Sequence, residues 1–278
     1  MSTSSRNIHT VFATEDDLGA ALAAEIAEQI EQSFARNERF ILGCPGGRTP
    51  KSTYRALATE FRNRELDLSE LIIAMMDDYL VRTDAGWAPV SSAAHNSCRR
   101  FAHEEIQAVF NAAVAPERQI PDEYVWLPDP ADPAAYERQL ADNGGIDFFI
   151  LASGAGDGHV AFNPPGSARD STTRIVQLAE QTRRDNLDTF PDFESIDAVP
   201  THGVTVGIAT IADQSKRGVM IAIGSHKQKA VRRLLDGTEY DPSWPATVFR
   251  CVPGGRLYTD AAAAGEPLRD PRQRSSGD

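Results

Sequence analysis

The stretch from Ile146 to Asn163, I-D-F-F-I-L-A-S-G-A-G-D-G-H-V-A-F-N, decides how this chain is expected to fold. It begins with an apolar run that is typical of a buried strand and continues into a glycine-rich segment that is typical of a tight turn. Open α/β folds bind their ligands at the carboxyl ends of parallel strands. The polar side chains of Asp157 and His159 are therefore expected at the ligand-binding edge of a sheet.

Asp157 and His159 are separated by a single glycine, so the carboxylate can orient the imidazole ring and make it more basic. A histidine held in this way is suited to general acid–base catalysis. The alternative is a tight turn whose aspartate and histidine are only solvated loop residues. For an isolated Asp-Gly-His sequence that alternative is the ordinary one, so the catalytic interpretation depends on what the rest of the chain places beside it.

Other apolar runs predict further strands, at Ile8–Phe12, Phe40–Leu42, Leu71–Met76, Thr173–Leu178, Val204–Ile208, Gly218–Gly224, Thr247–Val252 and Arg256–Tyr258. Helices are predicted between them, at Glu15–Phe34 with Thr14 as its cap, and at Lys51–Phe61, Asn96–Phe110, Ala134–Ala141 and Ser225–Leu235. Strands that alternate with helices favour an α/β fold with an open, mostly parallel, Rossmann-like sheet covered by helices on both faces.

A single domain is expected over residues 1–264, because no composition break or internal repeat marks a boundary. The charged tail at 265–278 lacks aromatic residues and is expected to be disordered. Two polar stretches are predicted as irregular structure: Arg82–Ala94 as a surface loop or lid, and Thr182–Ala198 as a partly irregular segment.

The first glycine-rich turn, Gly46-Gly47-Arg48-Thr49, follows the strand at Phe40–Leu42 and precedes a helix. A strand, a glycine-rich turn and a helix start leave backbone N–H groups free to bind an oxyanion such as phosphate. Arg48 and Thr49 add side-chain donors. The alternative is a plain connection between a strand and a helix, since two adjacent glycines are common there.

Two more predicted strands end in charged residues. Asp77 and Asp78 follow Leu71–Met76, and because strand side chains alternate, only one carboxylate can face a given cleft. Lys227 follows Gly218–Gly224 in the first turn of a helix, where the dipole disfavours a cation unless an anion binds nearby. The alternative for Asp77 and Asp78 is a plain acidic turn, and the alternative for Lys227 is a solvated surface lysine. In a parallel sheet these turns converge on one edge with His159, and that convergence is the strongest indication of function.

The composition of the chain limits the kinds of partner that it is expected to bind and the compartment in which it is expected. The chain has 278 residues, a net charge of −12, 41% hydrophobic residues and three cysteines. The negative charge argues against non-specific binding to nucleic acid or to anionic membranes. An odd number of widely spaced cysteines, with no Cys/His cluster at metal-ligand spacing, favours a reducing compartment and no bound metal. The polar start and the lack of a transmembrane-length apolar run predict a cytoplasmic protein, and homo-oligomerisation stays open.

The turns, in this order, resemble those of the glucosamine-6-phosphate deaminase/6-phosphogluconolactonase family, and the resemblance runs from about Ile8 to Asp260. The deaminase sequence G-L-P-T-G-G-T-P is similar to Gly43–Pro50, M-D-E-Y is similar to Met76–Tyr79, and D-G-H-I-A-F-N-E-P is similar to Asp157–Pro165. Further along, L-T-V-G is similar to Val204–Gly207 and L-G-S-Q-K is similar to Ile223–Lys227. The lactonase branch is less similar, because it has D-E-R in place of the second sequence and D-G-H-T-A-S in place of the third.

The resemblance implies a role for each site residue. Asp77 would move a proton between C2 and C1 of the opened sugar, and His159, oriented by Asp157, would assist ring opening. Phosphate would be held by the first turn and by a lysine, that is by the amides around Gly46 and Gly47, by Thr49 and by Lys227. No metal or organic cofactor is implied, and the partner would be a small sugar phosphate.

Three features depart from the family pattern. Pro164 stands where deaminases have a glutamate, Asp188 stands where they have a phosphate-binding arginine, and the glycine turn before Asp157 is shifted. Replacing an arginine by an aspartate changes the local charge by two units at an anion site. Candidates to supply the missing charge are Arg48, Arg183 and Arg184.

Three functions are therefore weighed. The first is an aldose–ketose isomerase or deaminase acting on a 2-amino hexose 6-phosphate such as glucosamine 6-phosphate. The second is a 6-phosphogluconolactonase-type hydrolase in which His159 activates water, favoured by Pro164 and Arg48. The third is a sensor that binds sugar phosphates without turnover.

Overall fold

A computed structural model of the chain describes residues 8–266. The strands in that range are β1 (His9–Phe12), β2 (Phe40–Cys44), β3 (Leu71–Met75), β4 (Asp77–Thr83), β5 (Gly86–Pro89), β6 (Val125–Trp126), β7 (Phe148–Ala152), β8 (Arg174–Gln177), β9 (His202–Thr205), β10 (Gly218–Ala222) and β11 (Arg256–Asp260). All but the first two residues of the tail that was expected to be disordered lie outside the described residues.

The larger sheet has seven strands in the order β1-β11-β10-β7-β2-β3-β6, and every pairing in it is parallel. The predicted open parallel sheet is therefore confirmed. Since β7 pairs with both β2 and β10, the turns that follow these three strands are neighbours at the carboxyl edge. The residues that follow β3 lie next to them, because β3 pairs with β2.

The helices flank this sheet: α1 (Glu15–Phe34), α2 (Lys51–Asn63), α3 (Cys98–Phe101), α4 (Ala108–Asn111), α5 (Pro133–Asp142), α6 (Glu180–Thr189), α7 (Ile208–Asp213), α8 (Gln228–Leu235) and α9 (Ala261–Ala264). A π-helical segment, Ala102–Gln107, joins α3 to α4. Thr14 caps α1 as predicted, because its side chain accepts a hydrogen bond from the backbone of Asp17. No helix within residues 8–266 has both the length and the apolarity to cross a membrane.

Alternate residues of each central strand face opposite layers of helices. On β3, Ile73 packs into one apolar cluster with α1 and α2, whereas Ile72 packs into the other with α5, α7 and α8. Packing between β2 and β7 is close: a β-carbon on Gly43 would lie 2.2 Å from the ring of Phe149. Only glycine fits there, and it lets the two strands that carry the first and third turns lie side by side.

A second sheet was not expected. Its strands pair in the order β5-β4-β9-β8, all antiparallel. The chain passes directly from β3 to β4 at Met76, so Asp77 begins a strand of the second sheet and does not stand in a turn. Thr173–Leu178 and Val204–Ile208 were correctly predicted to contain strands. Apolar runs alone do not show which sheet a strand joins, so the separate pairing of these strands was not predicted.

The partly irregular character of Thr182–Ala198 is confirmed, since α6 ends at Thr189 and irregular backbone follows, but the helix itself was not identified because α6 has few apolar residues. Two local predictions were wrong. Much of Arg82–Ala94 forms the hairpin between β4 and β5, because Gly86, at φ 124°, permits the turn. Thr247–Val252 is mostly a 3₁₀ helix that starts at Pro245, not a strand.

Candidate active site

A cavity of about 570 Å³ lies at the carboxyl edge of the parallel sheet, where the turns after β2, β7 and β10 meet the start of β4. Seven of the eight residues predicted from the sequence line it: Gly46, Gly47, Arg48, Thr49, Asp77, His159 and Lys227. The eighth, Asp157, lies behind His159 and holds its ring. The expected convergence of the turns is therefore present in the structure.

Asp77 lies at the floor of this cavity and is only 7% exposed. Burial is the main cause that raises the pKa of Asp77 to about 7, and the neighbouring charge of Asp78 acts in the same direction. The thiol of Cys98 donates a hydrogen bond to its Oδ1 atom at 3.5 Å. Asp77 is thus a buried carboxyl group that can gain or lose a proton near neutral pH.

Asp78 points away from the cavity, as the alternation of strand side chains predicts. Its Oδ1 atom accepts hydrogen bonds from the backbone N–H of Tyr79 at 2.9 Å and of Cys98 at 3.0 Å. Cys98 is the first residue of α3, so Asp78 holds the start of that helix against β4. One carboxylate of the pair faces the cavity and the other supports the wall beside it.

The Asp157–His159 pair has the geometry expected of an oriented histidine. Nδ1 of His159 lies 2.7 Å from Oδ1 of Asp157 and 3.1 Å from the hydroxyl oxygen of Thr182. Burial raises the pKa of Asp157, but its contacts with His159 outweigh that effect and the net shift is downward. An ionised carboxylate can only accept, so Nδ1 carries the proton and Nε2 is left to act on a ligand.

The loop that carries His159 is attached to the second sheet. The backbone N–H of Phe162 donates to the hydroxyl oxygen of Thr205 at 3.1 Å, and the side-chain amide of Asn163 donates to the carbonyl of Val206 at 2.8 Å. Gly158 has φ 70°, and a β-carbon there would lie 2.2 Å from the ring of Trp244. The glycine between aspartate and histidine is therefore required by packing as well as by the turn.

The first turn presents free backbone donors to the cavity. No acceptor within residues 8–266 receives a hydrogen bond from the backbone N–H groups of Gly46 to Thr49. Gly47 has φ 85°, and a β-carbon there would meet nothing within 4 Å. The turn leads directly into α2, which has 13 residues and whose dipole is positive at this end. This geometry is suited to an oxyanion.

Lys227 brings a positive charge to the same end of the cavity. Its Nζ atom donates a hydrogen bond to the carbonyl oxygen of Ser153 at 2.6 Å. Burial lowers the pKa of Lys227, and the nearby carboxylate of Asp185 opposes that shift. The lysine is therefore held at the cavity wall by the end of β7, whereas Arg48 on the facing turn is exposed and its guanidinium makes no hydrogen bond or ion pair with any residue from 8 to 266.

Helix α6 forms a wall that the sequence did not predict. Five of its residues line the cavity: Thr182, Asp185, Asn186, Asp188 and Thr189. A 3.6-residue period linking Thr182, Asn186 and Thr189 was the available signal, but it is a polar one and hydrophobic periodicity does not detect it. Asp188, which takes the place of an expected arginine, does lie at the cavity.

Arg183 and Arg184 do not supply the missing charge. Arg183 donates to the backbone carbonyls of Ile196 and Val199, and Arg184 pairs with Glu180. Of the three candidates, only Arg48 lines the cavity. Pro164 lies outside the residues that line the cavity and carries no carboxylate. Among residues 8–266, no group of three or more His, Cys, Asp or Glu side chains could hold a metal ion.

Comparison with known protein families finds a match over most of the chain. The profile of the family described as glucosamine-6-phosphate isomerases/6-phosphogluconolactonase matches residues 13–258. The glucosamine-6-phosphate deaminase of Beutenbergia cavernae is 34% identical over 247 residues and covers 88% of each chain. The glucosamine-6-phosphate isomerase of Candida albicans is 30% identical and covers 92% of this chain and 96% of its own.

Solved structures agree with this similarity. A monomeric glucosamine-6-phosphate deaminase superposes with a TM-score of 0.77 at 28% identity, and the match covers 94% of this chain and 99% of that one. The 6-phosphogluconolactonase of Trypanosoma brucei superposes with a TM-score of 0.66 at 23% identity, with coverage of 94% and 99%. At that identity the lactonase shares the fold alone.

Proposed function

The chain belongs to the glucosamine-6-phosphate isomerase/6-phosphogluconolactonase family, and we propose that it converts a 2-amino-2-deoxyhexose 6-phosphate, such as glucosamine 6-phosphate, into the ketose phosphate and ammonia. One observation carries this proposal. A buried carboxyl group with a pKa near 7, Asp77, shares a cavity with an Asp157-oriented His159 and with an oxyanion-binding turn. Curated relatives with deaminase activity in their names support the same conclusion.

Asp77 is the base in this proposal. It removes the proton from C2 of the open-chain aldose and returns it to C1, while one proton passes from the amino group to O1, so the carbon–nitrogen bond at C2 becomes an imine. Water then adds to C2, the bond to nitrogen breaks, and ammonia leaves with the ketose as the other product. A base works best when its pKa lies near the operating pH, and burial gives Asp77 that property.

His159 prepares the substrate for this step. A cyclic sugar has no acidic C2 proton until the ring opens, because the carbonyl group appears only then. Nε2 of His159 accepts the proton of the C1 hydroxyl and returns it to the ring oxygen as the ring opens. Asp157 keeps the ring oriented and supports the positive charge that forms on it in between.

The phosphate is placed at the first turn. The free amides of Gly46 to Thr49, the positive end of α2 and the charge of Lys227 converge on this end of the cavity. Arg48 is the cation proposed to replace the arginine that Asp188 displaces. A guanidinium group can grip two phosphate oxygens at once, which suits this role.

The direct test is to incubate the purified protein with glucosamine 6-phosphate and to measure ammonia and fructose 6-phosphate. Equal amounts of the two products, lost in Asp77→Asn, would support the proposal. Absence of both products, together with turnover of a related sugar phosphate, would keep the reaction class and change the substrate. Absence of turnover with any 2-amino or 2-hydroxy hexose phosphate would contradict the proposal.

A lactonase is the second candidate, because the position of the expected deaminase glutamate is occupied by Pro164 and the first turn carries Arg48. In this case His159 would activate water for attack on the carbonyl of 6-phosphogluconolactone. Hydrolysis requires no base at C2. Lactone hydrolysis that is lost in His159→Ala and retained in Asp77→Asn would therefore favour a lactonase over an isomerase.

A further inference from the structure

Cys98 contacts both of the adjacent carboxylates, Asp77 and Asp78. Its backbone N–H donates to Asp78 at 3.0 Å, while its thiol donates to Asp77 at 3.5 Å. One residue thus binds both members of the pair, through two separate groups. Cys98 is 6% exposed and lines the cavity beside Asp77.

The backbone around Cys98 holds the thiol at this position. Ser97 caps α3 by accepting a hydrogen bond from the backbone of Arg100 at 3.2 Å. Asp78 anchors the first helical N–H to β4. Because the helix start is fastened at two points that do not involve the thiol, the side chain of Cys98 is free to serve the carboxylate in front of it.

We infer that Cys98 is a positioning residue for the base, and that its thiol holds the carboxylate of Asp77 in the ionised form and in the orientation needed to take a proton from C2. The role rests on the proposed function of Asp77. The S–H group is a weak donor, and a donor aimed at the ionised form of an acid favours that form. Burial opposes ionisation of Asp77, so the effect of a single hydrogen bond matters here.

Other groups around Asp77 must be separated from Cys98. Asp78 raises the pKa of Asp77, and His159 lowers it. The buried hydroxyl groups of Tyr79 and Tyr136 are also coupled to Asp77 through charge. None of these four residues changes when Cys98 is replaced, so a difference between variants at position 98 reports on the thiol.

The experiment compares Cys98→Ala, which removes the donor, with Cys98→Ser, which keeps one. The matched control is Cys44→Ala, because Cys44 is also a buried thiol but donates to the carbonyl of Leu42. Two quantities are measured: the titration of the Asp77 carboxyl carbon by NMR, assigned with Asp77→Asn, and the pH dependence of kcat/KM for glucosamine 6-phosphate. Cys98→Ala leaves both anchors of the helix start in place, so it is expected to fold.

In Cys98→Ala the titration midpoint of Asp77 should rise by about half to one pH unit. The acid limb of kcat/KM should move upward with it, so activity at pH 6 falls roughly three- to tenfold relative to the alkaline plateau. Cys98→Ser should restore the wild-type midpoint or lower it, and Cys44→Ala should leave it unchanged.

The inference is overturned if Cys98→Ala and Cys98→Ser give the same midpoint, or if Cys44→Ala shifts it equally. Its failure is distinct from failure of the proposed function. If the wild-type protein releases no ammonia, the proposed reaction is wrong, and the NMR titration still decides whether the thiol acts on Asp77. If ammonia is released and the midpoint does not respond, the reaction stands and the role of Cys98 is wrong.

Discussion

The side-chain nitrogen of Lys227 donates a hydrogen bond to the carbonyl oxygen of Ser153 at 2.6 Å, linking the start of the last large helix to the end of β7. The contact holds a partly buried charge where the turn after β10 meets the cavity. A lysine pointing freely into solvent would contribute less to an anion site, because its side chain would lose more conformational freedom on binding.

Replacing Lys227 by methionine should therefore weaken phosphosugar binding. A charge-assisted hydrogen bond contributes about 1.5–3 kcal/mol, so KM for glucosamine 6-phosphate should rise by roughly ten- to a hundredfold. Lys229→Met is the matched control, since Lys229 donates to the carbonyl of Gly156 at 2.7 Å but does not line the cavity. An equal rise of KM in both variants would show that the lysines act through the fold.

Arg48→Ala should also raise KM, by a similar factor of about ten to a hundred. The candidates that could replace the missing charge are Arg48, Arg183 and Arg184. Of these three, Arg48 is the one that lines the cavity, at the proposed phosphate end. The measurement is KM for glucosamine 6-phosphate compared with that for glucosamine. An equal rise of KM for glucosamine 6-phosphate and for glucosamine would mean that Arg48 does not contact the phosphate.

Asp188→Arg should improve phosphosugar binding, because it removes a negative charge and adds a positive one at the wall of α6. KM should fall by about tenfold, which corresponds to roughly 1.4 kcal/mol. Asp197→Arg makes the same change of charge at an exposed position outside the cavity and should have little effect. No improvement with Asp188→Arg, or a loss of binding, would indicate that Asp188 itself contacts the substrate.

Asp77→Asn should abolish isomerisation and stabilise the protein above pH 7. In the folded state the pKa of Asp77 is raised from 3.8 to about 7, so its contribution to stability is present below pH 4 and is lost as pH rises to 7. A neutral asparagine avoids that loss. The gain at pH 8 should be about 2–4 kcal/mol, measured by urea unfolding from pH 4.5 to 8.5.

Asp157→Asn should change the stability of the folded protein in the opposite direction. Burial raises the pKa of Asp157, but its contacts with His159 produce a net decrease. The charged form of this carboxyl group therefore stabilises the folded state above its ordinary pKa, and the asparagine variant should be less stable than the wild type at pH 8. If Asp77→Asn and Asp157→Asn shift stability in the same direction, the assigned environments of the two carboxylates are wrong.

The parallel sheet and its turns could be predicted because each depends on a local pattern. An apolar run such as Phe148–Ala152 is buried on both faces, as parallel strands are, and the glycine-rich segment after it is typical of a turn. The parallel register then brings the turns together without any further information. For that reason the residues at the four strand ends were found at one cavity.

The second sheet and α6 could not be predicted in the same way. Whether β4 continues the parallel sheet or pairs with β9 depends on contacts between residues far apart in the chain. Helix α6 is mostly polar, and its face toward the cavity consists of Thr182, Asn186 and their neighbours. The thiol contact between Cys98 and Asp77 joins residues on two elements and leaves no trace in the spacing of either.

Thr205 connects the strand that carries Asp77 to the loop that carries His159. It lies opposite Asp77 in the register of β4 and β9, and its hydroxyl oxygen accepts a hydrogen bond from Phe162 in the loop of His159. The loop that holds His159 is thus fastened to the same sheet that carries Asp77, whereas Arg48 lies outside that sheet. A substitution at Arg48 can therefore alter its end of the cavity without displacing Asp77 from His159.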